Sequence, residues 1–124
     1  MSRRPSLLLT LLEENEPLAR SLGGEISRLG ADCQAHFLTG IPDAQALAPL
    51  LAEVCRPDCG AWLIAGNAAS FARKELLRGL ALTALGAQQS RREEAGRPLP
   101  ILLAPSGGEL PSLPLPLADA DVVS

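Results

Sequence analysis

Apolar runs and amphipathic stretches take turns along this chain. Ser6–Leu12 reads SLLLTLL, a continuous apolar run of the kind that parallel sheets bury on both faces. ENEPLARSLGGEISRLG follows and sets Leu18, Leu22, Ile26 and Leu29 at helical spacing. Asn15 is its expected N-cap, Pro17 falls in the first turn, and Gly30 ends it. Gly23 and Gly24 each weaken that helix by about 1 kcal/mol relative to Ala, a cost that close packing on the sheet would explain. Asp32–Leu38 alternates Cys33, Ala35 and Phe37 with Gln34 and His36, which predicts an edge strand.

IPDAQALAPLLAEVCRPD gathers Leu47, Leu50, Leu51 and Val54 on one face of a second helix. Pro49 predicts that it either starts late, near Ala46, or kinks. Ala61–Ala65, AWLIA, is apolar on both faces and so reads as a central strand. A third helix begins at Asn67 or Ser70 and carries Phe71, Leu76, Leu77, Leu80 and Leu85. Extended to Glu94 it would measure about 40 Å, roughly twice the length of a five-residue strand. Its polar tail, GAQQSRREEAGR, must then project beyond the sheet or break at Gly86 into a loop. Leu99–Ala104 predicts a fourth strand, PSGGELPSLPLPLADA a loop, and Asp121–Ser124 a short last strand.

The order β-α-β-α-β-α-β-loop-β implies a three-layer α/β sandwich of flavodoxin-like type, with four or five mainly parallel strands. The chain reads as one domain over residues 1–124, and as a piece that could head a longer protein. Ligands of such sheets gather at the carboxyl ends of the strands, here residues 13–15, 39–40, 66–70 and 105–108.

Those loops hold the candidate chemistry. Glu13 and Glu14 are neighbouring carboxylates that could hold Mg²⁺, although acidic residues beside a helix start also simply complement its dipole. Asn67 and Ser70 could cap the third helix, bind an anion at its N-terminus, or both. Ser106 and Gly107, with Gly108, could cradle a phosphate; a plain connector is the simpler reading. No dinucleotide, P-loop or nucleophile-elbow motif is present, and no cofactor is called for.

The single histidine, His36, and the three cysteines, Cys33, Cys55 and Cys59, lack the spacing of a zinc site. An odd number of thiols without a paired pattern points to a reducing, cytoplasmic setting. The net charge of -3 and the 2% aromatic content argue against nucleic-acid partners, which need basic fields or stacking platforms. The apolar run before Glu13 is too short for a membrane span or a signal segment.

LLLTLLEENEPLARSLGGEISRLGA resembles the opening of bacterial response-regulator receiver domains, where a strand ends in two acidic residues. DAQALAPLLAEVCRPDCGAWLIAG looks like the stretch leading into their central strand, and LPILLAPSGG and ADADVVS resemble their fourth and fifth. The family's phosphoacceptor Asp falls where this chain has Ala65, Gly66 or Asn67. The resemblance therefore implies a non-catalytic signalling or regulatory module acting through protein contacts, by a protein partner or self-association as a homodimer. The expected surface is the polar end of the third helix together with the Pro-rich segment 105–117. ASFARKELL is also similar to TIR domains, in whose enzymatic members a helix Glu cleaves NAD; Glu75 would be that residue here. A nucleotide-handling enzyme using Glu75 is thus the competing expectation.

Overall fold

Unbroken burial over residues 8–12 and 62–66 follows from a sheet covered on both sides. The computed structural model describes residues 6–38, 44–56, 59–95, 99–106, 117 and 121–122. Its strands are β1 (Ser6–Leu11), β2 (Asp32–Phe37), β3 (Cys59–Asn67), β4 (Ile101–Ser106) and β5 (Asp121–Val122). They form one sheet in the order β2-β1-β3-β4-β5, every pair parallel. The helices are α1 (Glu16–Arg28), α2 (Ala44–Val54), α3 (Ala68–Phe71) and α4 (Lys74–Ala95). This is the flavodoxin-like α/β arrangement, with β3 central and β2 at an edge, as the sequence predicts.

The period of two sorts the strand residues between two cores. Leu9, Leu11, Leu63 and Ala65 face α1 and pack with its Leu18, Leu22 and Ile26. Leu8, Leu12, Trp62, Ile64, Ile101 and Leu103 face the other way, toward α2, α3 and α4. Near-continuous apolar strands are what two-sided coverage demands.

The helices depart from expectation in instructive ways. Asn15 caps α1 by accepting from Leu18 N–H at 3.1 Å. The stripe stops at Ile26, because Leu29 is the C-cap and lies in solvent at 85% exposure. Gly23 and Gly24 do not mark close packing: a Cβ at either would meet nothing within 4 Å. α2 does not start late at Ala46; it runs from Ala44 to Val54 with Pro49 inside the helix. Leu50 and Val54 are buried, with Leu47 and Leu51 packed against them.

The expected third helix is two helices. α3 ends at Phe71, and α4 restarts at Lys74. α4 continues unbroken past Gly86 to Ala95. Its buried line is Leu77, Leu80, Ala81, Ala84 and Ala87; Leu85 sits one residue, or 100°, off that line and is 58% exposed. The polar tail does not project freely. Gln88 Nε2 donates to Leu99 O at 2.8 Å, and its Oε1 accepts from Leu99 N–H at 2.6 Å. Arg91 Nη1 donates to Cys59 O at 2.7 Å, while its Nε is buried without a hydrogen-bond partner among the described residues. The far end of α4 is thereby tied to the starts of β3 and β4.

β4 runs two residues later than the sequence predicts and includes Pro105 and Ser106. Of the segment expected to form a surface at 105–117, residues 107–116 lie outside the described residues. Leu117 is buried in the α4-side core. Among the described residues, no helix is long and apolar enough to cross a membrane.

Candidate functional site

The strand order reverses direction between β1 and β3, so their carboxyl ends flank the crevice where such sheets bind ligands. β3 ends at Asn67, which is extended (φ −78°, ψ 166°) and caps α3 by accepting from Ser70 N–H at 2.7 Å. The Asn67 main-chain N–H takes a different partner. Glu13, two residues beyond β1, meets it: Oε1 and Oε2 accept from Asn67 N–H at 3.1 and 3.2 Å. Oε2 also accepts from Ser70 Oγ at 2.6 Å. A carboxylate with several donors is the stronger class of protein hydrogen bond.

Four of the residues singled out from the sequence thus share one rim. Glu13, Asn67 and Ser70 are hydrogen-bonded, and Ser106 is the register partner of Asn67 on β4. Gly107 lies outside the described residues. Glu14 is exposed and takes no part in the network. Asn67 N–H and Ser70 Oγ, which an external anion would use, already donate to Glu13, and Ser70 N–H already donates to Asn67 Oδ1. Glu75 is exposed in the first turn of α4 and also stands outside this network.

The crest itself is tight. A Cβ on Gly66 would come within 3.0 Å of Leu12 Cβ, and Leu12 N–H donates to Ala65 O at 2.9 Å. Ala65 is fully buried on the α1 side.

A second polar group was not singled out from the sequence. Trp62 Nε1–H donates to Thr10 Oγ1 at 2.9 Å, and Thr10 Oγ1 lies 2.6 Å from His36 Nε2. The hydroxyl oxygen accepts from the indole and shares one further hydrogen with Nε2, whose role as donor or acceptor follows the imidazole tautomer. Burial pushes the His36 pKa down from its usual 6.5, and the Glu53 carboxylate partly opposes this. His36 and Glu53 line a groove of about 380 Å³ between β2 and α2, with Gln34, Pro49 and Leu50. Thr10 and Trp62 are both fully buried, so the hydroxyl cannot attack a substrate arriving from solvent. A signal for this network existed: Thr10 is the one polar residue inside an apolar run, and a buried hydroxyl needs a partner.

Cys33 and His36 face opposite sides of the sheet, as their spacing predicts. Cys33 packs on the α1 side, where burial raises its thiol pKa. None of Cys33, Cys55 and Cys59 forms a disulfide among the described residues. Among the described residues, no group of three or more His, Cys, Asp or Glu side chains is placed to hold a metal ion.

Comparison of the sequence with known proteins gives no matching family model and no matching curated relative.

Proposed function

We propose that this chain is a non-catalytic regulatory module that works through protein contacts, receiver-like in layout and without a phosphoacceptor. One observation carries the reading: the rim between β1 and β3 is closed by the chain's own Glu13 carboxylate, held by Asn67 and Ser70. A receiver needs an open acceptor carboxylate on β3 and a metal held by the acidic residues after β1. Here the β3 residue is an amide engaged in helix capping, and the first acidic residue is engaged in holding it. Two leucines on the outer face of α4, Leu82 and Leu85, are 60% and 58% exposed and give the module an apolar contact point.

The experiment is an amide NMR titration of the purified chain with Mg²⁺ and beryllofluoride, a phosphoryl analogue. The expected result is no shift at Gly66 through Ser70. A saturable shift there would overturn the reading. The competing enzyme reading places the chemistry on Glu75, which is exposed on α4 and does not line the groove between β2 and α2. Incubation with NAD is expected to give no nicotinamide release.

A further inference from the structure

We infer that the outer face of α4 is a self-pairing surface, on which a second copy of this chain docks its own α4 antiparallel across a two-fold axis. The inference rests on the reading of the chain as an interaction module and specifies its partner.

The inner face of α4 is committed to the core, and Gly86 packs against Leu51 of α2 at 3.3 Å from the position of its would-be Cβ. The opposite face carries Glu75, Arg78, Leu82, Leu85, Gln89 and Arg92, all exposed. Successive members are three, four, three, four and three residues apart. That is the seam of a left-handed helix pair, which crosses at about +20°. Lys74 and Glu93 flank its two ends and are exposed as well.

The order of these residues is self-complementary. Place a two-fold axis level with the point between Thr83 and Ala84. Leu82 of one copy then meets Leu85 of the other, twice, and forms an apolar centre. Arg78 meets Gln89, a cation against an amide carbonyl. Glu75 meets Arg92, and beside them Lys74 meets Glu93, so both ends of the seam bring opposite charges together. The two-fold makes every one of these contacts occur twice. A parallel pairing would instead set Glu75 on Glu75 and Arg92 on Arg92. Among the described residues, none of Lys74, Glu75, Arg78, Arg92 and Glu93 makes an ion pair within the chain. The seam from Glu75 to Arg92 is about 26 Å long. With only two leucines per copy at its centre, it suits a reversible, concentration-dependent dimer.

Sedimentation equilibrium of the full chain over a wide concentration range tests this. A monomer–dimer equilibrium is expected. Glu75→Arg and Arg92→Glu should each weaken it by about tenfold, since two symmetric surface ion pairs become repulsions. Leu82→Glu should abolish it, with far-UV circular dichroism unchanged in all three. An equimolar mixture of Glu75→Arg and Arg92→Glu should form a heterodimer of native affinity, because both pairs are restored across that interface. The double variant should recover as a homodimer. A chain that stays monomeric at all concentrations, or a dimer indifferent to the charge reversals, overturns the inference. If such a monomer still binds a different protein, the self-pairing falls while the interaction-module reading stands.

Discussion

The Glu13 carboxylate grips the N–H of Asn67 with both oxygens, at 3.1 and 3.2 Å, across 54 residues of sequence. One of those oxygens also holds Ser70 Oγ at 2.6 Å. Glu13→Ala should destabilise the chain by about 1–2 kcal/mol, the range for a charge-assisted hydrogen bond that is partly open to water. Glu13→Gln keeps an acceptor and should cost less. Urea unfolding of Glu13→Ala, Ser70→Ala and the double variant forms a cycle whose coupling should be clearly non-zero. Additive losses would mean that the pair contributes nothing jointly.

His36 should make stability pH-dependent. Its folded pKa is lowered from 6.5, first by burial, with Glu53 opposing. The unfolded chain therefore binds a proton at higher pH than the folded one. The stabilisation is full above about 6.5 and is lost as pH falls from there through the folded pKa. His36→Gln should flatten this part of the stability profile relative to the native chain. Trp62 is the only tryptophan and hydrogen-bonds within the same network, so its fluorescence reports the transition. Identical profiles for the two proteins would contradict the sign and the assignment.

Two glycines should respond in opposite directions to the same substitution. At Gly66 an added Cβ meets Leu12 Cβ at 3.0 Å, and a Cβ cannot rotate away, so Gly66→Ala should cost about 1–3 kcal/mol. At Gly23 an added Cβ meets open space inside a helix, so Gly23→Ala should stabilise by about 0.5–1 kcal/mol. Thermal melts of the two variants give both signs in one experiment.

Gln88 clasps the Leu99 backbone with both ends of its amide. Gln88→Ala removes both bonds, and hydrogen exchange of the Leu99 amide should accelerate by at least tenfold, the equivalent of about 1.4 kcal/mol. Exchange in β1 should be unchanged. A uniform acceleration across the sheet would indicate global rather than local loosening.

The fold was legible because its signals lie within single elements. SLLLTLL, AWLIA and the leucines of 47–54 each carry their own period, and the order of elements implies the parallel sheet. Where the sequence misled, the cause was a contact or a short local deviation. Nothing in Ala72-Arg73 marks a helix break, since neither Gly nor Pro is there. Ser70 and Asn67 were visible as caps, but Glu13 is brought to them only by the pairing of β1 with β3. Thr10 and Trp62 are 52 residues apart, and only the register brings the indole over the hydroxyl. Leu85 fits a loose apolar pattern, and only the packed line through Ala84 shows it to be turned outward.

The clasp at Gln88 has a mechanical consequence. α4 is about 33 Å long, and it is pinned near its far end by Gln88 on Leu99 and Arg91 on Cys59. At its near end, Leu76 and Leu77 are buried in the core, directly after the capped turn of α3. The helix is therefore a brace spanning the sheet from one rim to the other. A load applied to its outer face is shared by the strands and does not bend one edge. In the pairing proposed above, such a surface would meet its counterpart as a rigid plate, and the freedom lost on docking would be that of side chains and not of the backbone.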